Sequence, residues 1–434
     1  MFETIKNAFK IKEIKSKVLF TLAMLVIIRF GTELPVPGIN REFFQNWFSA
    51  QTGGLIDAFT GGSFLNMSIL ALNITPYITS SIIMQLLTIA IPKLEEMQKE
   101  GEEGRKIIAS ITRYVTVGLA LLESLAMAVG FGRQGLLENY NAASVLVVVA
   151  TLTAGSAFLM RIGEQITEKG VGNGISIVLA INIISRMPQD IANLFSQFVA
   201  GKPIAFQALA TVIILAIIVA MIILVIFLND AERRIPVQYA KKLQGRKMLG
   251  GAASSIPLKV NTAGVMPIIF ASSLMEFPVV LSQLFRYNST GTWAEVLRYL
   301  SSSNWCDPTN IKYTIGMLVY IALLIFFAYF YTSVTFNPLQ IADNMKKQGG
   351  FIPGIRPGRP TSDYLSKILK YIIFIGACML TVVGILPFIF RGLFHASVSF
   401  GGTSLIIVVS VVLETIKQIE SMMLVRNYKG FLND

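Results

Sequence analysis

The sequence contains few charged residues. Only 14% of its 434 residues are Asp, Glu, Lys or Arg, whereas a soluble domain usually carries about 25%. Hydrophobic residues make up 53% of the chain, the mean hydropathy is +0.63, and the long apolar runs are not broken at helical spacing. This composition excludes an ordinary soluble enzyme and a disordered protein. It favours one polytopic membrane domain.

The residue types that carry out chemistry are also scarce. A single histidine, His395, argues against a His-based metal site or a Ser/His/Asp triad. Two cysteines, Cys306 and Cys378, cannot form a disulfide framework. The sequence has no GxxxxGK[ST] phosphate loop. We therefore expect no catalytic residue, no metal and no cofactor, so the energy for any work on a substrate must come from elsewhere.

Ten apolar segments approach the length of about 20 residues that a helix needs to cross a bilayer. Of these, the first, fifth and tenth are short or interrupted. The predicted spans are Val18–Leu34, a span within Ala58–Pro92, Ile107–Gly130, Ala142–Met160, Val171–Ile184, Ile204–Leu228, Val260–Phe285, Thr314–Thr335, Tyr371–Phe390 and Ala396–Leu413. The predicted fold class is therefore an all-α polytopic membrane protein with ten transmembrane helices.

The positive charges lie mostly on alternate loops. The formal net charge is +12, from 37 Lys and Arg against 25 Asp and Glu. If the N-terminus is inside, the inner segments hold 27 of the Lys and Arg residues and the outer loops hold eight. The positive-inside rule therefore predicts that both termini are cytoplasmic, and the even number of spans agrees.

The second apolar segment, Ala58–Pro92, has no charged residue for 35 positions, which is too long for one untilted span. Because Gly, Asn and Pro interrupt it, we expect a re-entrant piece at about Leu55–Met67 and a full span from about Ile74 to Ile91. Irregular backbone at membrane depth is tolerated only inside protein or beside a watery cavity. A tilted long helix with an outer loop is the alternative interpretation.

The seventh span carries Gly264, Pro267 and Pro278. Proline inside a helix removes a hydrogen bond and kinks the helix. Kinked spans often move, but kinks are also common in static packing, so this pattern alone leaves a gating role open.

Two large inner loops are rich in positive charge. In the second loop, Arg356 and Arg359 alternate with proline and glycine. Proline lowers the cost of ordering a loop, and a stiff loop that displays arginine suits docking onto acidic protein or RNA phosphate. Charge that only determines topology is the alternative, and it does not explain the alternation.

Several motifs, in this order, resemble the SecY family, the channel-forming subunits of the bacterial Sec protein translocase. The resemblance covers about residues 10–430. The stretches that carry it are Pro35–Gly38, Asn73–Leu87, Gly163–Ser176, Pro257–Asn261, Phe336–Pro338, Gly354–Gly358 and Phe400–Ser404. One departure is Asn73, where the family usually has glycine, and it affects only local packing.

The resemblance implies two inverted five-helix halves around a central hourglass pore with a plug and a lateral gate. It assigns an apolar pore ring to Ile74, Ile78, Ile175, Leu179, Ile269 and Ile407. It assigns the plug to the re-entrant piece, with Leu55, Ile56, Phe59, Phe64 and Leu65. It assigns the lateral gate to Thr79, Gln85, Asn261 and Phe277. Such a ring of branched apolar side chains resists wetting and blocks ions.

The resemblance also implies partners and a location. Docking of the SecA ATPase or the ribosome is expected at Arg356, Arg359, Arg233, Arg234, Lys241 and Lys242. SecE and SecG are expected as small membrane subunits, in the bacterial cytoplasmic membrane. The channel would bind signal sequences, pass unfolded secretory or nascent polypeptides outward, and release apolar helices into the lipid bilayer.

The predicted organisation has four parts. Residues 1–17 form a cytoplasmic interfacial helix, 18–190 the N-terminal half, 191–413 the C-terminal half with cytoplasmic loops at about 229–259 and 336–370, and 414–434 a cytoplasmic tail. Two other functions are weighed against a channel. One is a small-solute secondary transporter that uses Glu123 or Glu276, and the weaker one is an intramembrane enzyme.

Overall fold

The structure is a computed structural model of the chain. It describes residues 9–42, 44–45, 60–199, 203–239, 242–244, 247–249, 254–284, 291–306, 310–394 and 402–430. Helices account for most of these residues. In chain order they are α1 Lys12–Glu33, α2 Thr75–Ala90, α3 Pro92–Lys99, α4 Glu102–Phe131, α5 Ala142–Lys169, α6 Gly174–Phe198, α7 Ile204–Asp230, α8 Met266–Leu284, α9 Thr292–Leu300, α10 Ile315–Thr335, α11 Pro338–Lys347, α12 Arg359–Phe394 and α13 Gly402–Gly430.

Each of the ten predicted spans overlaps one of these helices. Among the described residues, six helical stretches are long and apolar enough to cross a membrane. A seventh is obtained if α2 and α3, which meet at a bend of 106°, are counted as one span. The predicted start of the second span near Ile74 is confirmed, because α2 begins at Thr75. The total of ten spans stays a prediction.

Several helices are longer than the predicted spans. The fifth span was expected to end at Ile184, but α6 continues to Phe198 with Pro188 inside it. The ninth was expected to begin at Tyr371, but α12 begins at Arg359. The length of an apolar run reflects only the part of a helix that crosses the bilayer core. A helix can continue beyond that core into polar surroundings.

The described chain forms two compact units. The first comprises Met1–Thr211, Pro278–Leu297 and Phe394–Asp434, and the second comprises Val212–Phe277 and Arg298–Leu393. The predicted division into halves at residue 190 concerns membrane topology and stays a prediction.

In the first unit, the residues between 60 and 74 form a chain of turns packed into the core. The N–H of Ile69 donates to the carbonyl of Leu34 at 2.9 Å, and the N–H of Val36 donates to the carbonyl of Met67 at 3.0 Å. The ring of Phe44 lies edge-on to that of Phe64, with centroids 5.4 Å apart. This irregular backbone is enclosed by protein, as the sequence predicts for residues in this segment.

The second unit contains β-structure that sequence analysis did not predict. The strands are β1 Glu232–Tyr239, β2 Lys242–Gln244, β3 Lys247–Leu249, β4 Ser254–Lys259 and β5 Gly350–Phe351. Strands β4, β1 and β5 form an antiparallel sheet in that order, while β2 pairs with β3. The side chains of Ile235 and Val237 are buried while Arg234 and Pro236 are exposed, the alternation expected of a strand with one covered face.

Candidate functional site

Five of the six predicted ring residues belong to the first unit. Ile74 is the N-cap of α2, and Ile78 lies one turn further on, because its N–H donates to the carbonyl of Ile74 at 3.0 Å. Ile175 and Leu179 lie at the start of α6, and Ile407 lies in α13. Because residues four apart share a helix face, α2 and α6 each present a pair of branched apolar side chains.

The burial of these residues differs. Ile74, Leu179 and Ile407 are buried, with 0%, 8% and 2% of their surface exposed. Ile78 and Ile175 are half-buried. The sixth residue, Ile269, is a half-buried residue of α8 in the second unit. Their assembly into one ring stays a prediction.

The structure explains why the motif Gly163–Ser176 contains glycine and asparagine. It is a helix–turn–helix in which α5 and α6 approach so closely that a Cβ on Gly174 would lie 1.9 Å from the carbonyl oxygen of Gly163. The side chain of Asn173 caps α6 by accepting from the N–H groups of Ile175 and Ser176 at 3.2 and 3.3 Å. The turn therefore fixes where α6 starts, and with it the position of the predicted ring residues on that helix.

The same turn is tied to two further helices of the first unit. The Oγ1 of Thr21, in α1, accepts a hydrogen bond from the N–H of Val171 at 3.1 Å. A Cβ on Gly172 would lie 2.9 Å from Oγ1 of Thr415, in α13. A hydrogen bond to α1 and a close approach to α13 at a glycine therefore meet at the start of α6. Both α6 and α13 carry predicted ring residues.

The predicted plug is only partly within the described residues. Leu55, Ile56 and Phe59 lie outside them. Phe64 and Leu65 are half-buried and pack against a core cluster of the first unit. Because three of the five assigned residues are not described, the plug assignment stays a prediction.

The predicted lateral-gate residues are divided between the units. Thr79 and Gln85 are half-buried residues of α2 in the first unit. In the second unit, the Nδ2 of Asn261 donates to Oδ1 of Asn229 at 3.1 Å, an intramolecular contact that links the turn before α8 to the end of α7. Phe277 lies in α8, but its side chain is outside the described residues.

The two predicted docking loops are brought together, which the sequence did not indicate. Strand β1 of the first loop pairs with β5 of the second through Gln238 opposite Phe351 and Tyr239 opposite Gly350. Both loops also cover one apolar cluster, which includes Ile235, Val237, Leu258, Ile352 and Leu365. A hydrophobic core beneath both loops makes them a single structural element.

The predicted docking arginines are exposed above this cluster. Arg233, Arg234, Arg356 and Arg359 all have exposed side chains. Arg234 also forms an ion pair with Glu232 of the same strand at 2.7 Å. The carbonyl of Arg356 accepts from Oγ1 of Thr361 at 2.8 Å, which ties the loop to the first turn of α12. Lys241 is outside the described residues, and for Lys242 only the backbone, in β2, is described.

The charged residues predicted within spans have different surroundings where the structure describes them. Glu123 is half-buried in α4 and Glu414 is exposed in α13, while the side chain of Glu276 is not described. Arg113 of α4 forms an ion pair with Glu164 of α5. Among the described residues, no group of three or more His, Cys, Asp or Glu side chains is placed to hold a metal ion.

Comparison with solved structures identifies the class of this fold. A structure described as that of a protein-conducting channel matches with a TM-score of 0.63 at 19% identity, over 96% of both chains. Sec61 in a canine ribosome–channel complex from the endoplasmic reticulum matches with a TM-score of 0.60 at 18% identity, also over 96% of both chains. At these identities the likeness concerns the fold alone, and that fold is the one of the SecY and Sec61 channels.

The sequence comparisons identify the family. The model of the SecY family matches residues 68–416. Protein translocase subunit SecY of Halalkalibacterium halodurans is 44% identical over 439 aligned positions, which cover 100% of both chains. The corresponding subunit of Bacillus subtilis is 43% identical over 443 positions, again with 100% of both chains covered. The chain belongs to the SecY family.

The predicted function is confirmed by these relatives. The chain is a multi-pass membrane protein and a channel for protein translocation. It is not an enzyme, and the alternative of a small-solute transporter built on Glu123 or Glu276 is wrong, because full-length relatives are protein translocase subunits.

Proposed function

We propose that this chain forms the path by which unfolded secretory polypeptides leave the cytoplasm, and that the six predicted ring residues line its narrowest point. The observation that carries this proposal is the full-length match to translocase subunits, combined with branched apolar residues at all six positions. An apolar constriction holds no stable water and blocks ions, yet it offers a passing chain no specific partner. It can therefore accept many different sequences.

The plug and the lateral gate complete this mechanism. Residues at about 55–67 act as the plug that supports the closed ring. Thr79, Gln85, Asn261 and Phe277 belong to a lateral gate through which a signal sequence or an apolar helix enters lipid. Pro278 inside α8 gives this helix a place to bend, because it removes a backbone hydrogen bond. Pro267 lies in the first turn of α8, where a helix tolerates proline, so it is not the kink site that the sequence predicts.

The driving force comes from partners that bind the cytoplasmic loops. Arg356 and Arg359, together with Arg233, Arg234, Lys241 and Lys242, form a basic surface for the acidic or phosphate groups of the SecA ATPase or the ribosome. The four described arginines of this set are exposed. Arg233 and Arg234 lie on β1, while Arg356 and Arg359 follow β5, the strand that pairs with β1, which supports a docking surface. The resemblance to the family implies that SecE and SecG are the small membrane subunits that bind this chain.

The location follows from the charge pattern. The excess of Lys and Arg on alternate loops favours a bacterial cytoplasmic membrane protein with both termini in the cytoplasm. It also agrees with an interfacial helix at 1–17, halves at 18–190 and 191–413, and a tail at 414–434.

A reconstitution tests this proposal. The chain is purified with SecE and SecG, inserted into proteoliposomes, and supplied with SecA, ATP and a secretory preprotein. We expect ATP-dependent protection of the preprotein from added protease. A preprotein without its signal sequence should remain accessible to the protease. Equal protection of both substrates, or protection without ATP, would contradict the proposal.

A further inference from the structure

A buried amide pair joins the turns at residues 60–73, here called the return segment, to α6 in the first unit. The Nδ2 of Asn182 donates to Oδ1 of Asn73 at 3.0 Å. Asn73 and Asn182 are 2% and 1% exposed, respectively. Polar groups removed from solvent are stable only when they are hydrogen-bonded, so this contact favours one arrangement of the return segment over others.

Both ends of the return segment meet at Asn182. At its beginning, Gly61 is so close that a Cβ there would lie 2.7 Å from the backbone oxygen of Asn182. At its end, the side chain of Asn73 accepts from the side chain of Asn182. The carbonyl of Asn73 also accepts from Oγ of Ser156, in α5, at 3.2 Å. One residue of α6 therefore contacts the segment where it enters the core and where it leaves for α2.

The backbone conformation at Asn73 allows the side-chain bond to be removed without changing the fold. Asn73 has a φ of 52°, in the left-handed region that glycine adopts freely and asparagine tolerates better than most residues. A glycine at this position keeps the backbone conformation but cannot form the amide bond. The side chain of Asn73 therefore adds a contact that the turn itself does not require.

The bond is also limited in strength on the side of α6. Asn182 Oδ1 is buried and, within the described part of the chain, accepts no hydrogen bond. The pair is therefore held by a single amide hydrogen bond rather than by two reciprocal ones. A single net hydrogen bond makes only a modest contribution to an equilibrium, provided that both amide groups find other partners after release.

We propose that Asn73 and Asn182 form a clasp that holds the return segment against α6 and thereby keeps the plug in its sealing position in the resting channel. This inference rests on the proposed function, because it assigns the pair as positioning residues for the plug. Release of the clasp accompanies opening, and re-formation restores the seal after a polypeptide has passed.

The direct test is the resting ion conductance of the complete channel complex in planar bilayers. Asn73→Gly deletes the bond and retains the backbone conformation. One net hydrogen bond corresponds to roughly a fivefold change in an equilibrium, so we expect conductance events in the absence of substrate to become roughly fivefold more frequent. Asn182→Ala should raise the frequency of these events by a similar factor. Because both variants remove the same bond, the factor for the double variant should be far below the product of the two single factors.

A matched control removes another buried side-chain hydrogen bond of the same unit. Ser124 Oγ of α4 lies 3.0 Å from Thr153 Oγ1 of α5, and neither residue belongs to the return segment. Ser124→Ala should leave the resting conductance at the wild-type level. The melting temperature of each complex is measured alongside, so that lost packing is distinguished from a lost seal.

Two outcomes would overturn the clasp. One is wild-type conductance in Asn73→Gly and in Asn182→Ala, whatever their melting temperatures. The other is an equal rise in Ser124→Ala. The clasp and the proposed function fail in different measurements. If the wild-type complex protects a preprotein in proteoliposomes while the variants do not leak, only the clasp is wrong.

Discussion

The two units handle polar groups in opposite ways. In the first unit, the turns around residues 60–73 are folded inward, and their polar groups are paired with one another or with α5 and α6. In the second unit, a small sheet buries its apolar side chains in a cluster beneath the two predicted docking loops and leaves arginines exposed. The difference shows that a chain with only 14% charged residues can expose arginines over an apolar cluster in one unit while it buries paired amides in the other.

The predicted docking surface provides the largest expected effect. Arg356→Glu reverses an exposed charge on a loop that is anchored through Thr361. Like charges brought together at an interface cost several kcal/mol, so ATPase-driven export should fall by roughly tenfold or more. The rate of preprotein uptake into proteoliposomes measures this effect.

Lys367→Glu is the matched control, because Lys367 is also exposed in the second unit but lies on α12 beyond the loop. Uptake by this variant should stay within about twofold of wild type, since an exposed charge contributes little where no partner contacts it. Equal losses in the two variants would mean that net charge matters and that position 356 does not.

The predicted ring provides the second effect, and it sharpens the contrast with the charged surface. Replacing Ile74, Ile78 and Ile407 with serine removes branched apolar side chains, each worth about 1.5–3 kcal/mol of transfer free energy. The barrier to wetting should fall, and ion leak across planar bilayers should rise, by roughly tenfold.

A triple serine variant at Ile213, Val219 and Ile223 is the control. These residues of α7 are exposed in the structure and were not assigned to the ring. Their replacement should leave the ion conductance unchanged. A leak of the same size from the control would place the seal elsewhere, and no leak from the ring variant would remove those three residues from it.

The turn between α5 and α6 provides the smallest of these effects, and it concerns stability. In Gly174→Ala the new methyl group would meet the carbonyl of Gly163, so the two helices must move apart at a cost of about 1–3 kcal/mol. The melting temperature of the purified complex should fall. Gly118→Ala is its control, because nothing lies within 4 Å of a Cβ at that position of α4. Alanine is the better helix former, so a fall in Gly118→Ala as large as in Gly174→Ala would contradict this explanation.

Much of the helical architecture could be predicted because apolar length and loop charge are local properties of the sequence. The start of α2 near Ile74 follows from Asn73 and Pro76, which interrupt the apolar run. The end of α6 and the start of α12 could not be predicted from hydropathy. Helix α6 continues through Arg186, and α12 begins before Tyr371, where the sequence is no longer apolar although the helix persists.

The contacts made over long sequence distances were not predictable in the same way. The alternation of Ile235 and Val237 with exposed neighbours is a strand signal within the first loop, but its pairing with residues 350 and 351 has no local signature. Asn73 was visible as a departure from the family pattern, whereas its partner Asn182 lies 109 residues away. Contacts of this kind are determined by how the helices and strands pack, and no local sequence motif indicates them.

We expect a translocating polypeptide to pass the predicted ring residues. The most direct measurement places a photo-crosslinking amino acid at Ile78 and stalls a secretory chain within the reconstituted channel. Crosslinks to the stalled chain should form from Ile78, and none should form from the same probe at Ile213, an exposed residue of α7. Crosslinks of equal yield from both positions, or none from Ile78 while the chain is demonstrably stalled, would contradict this expectation.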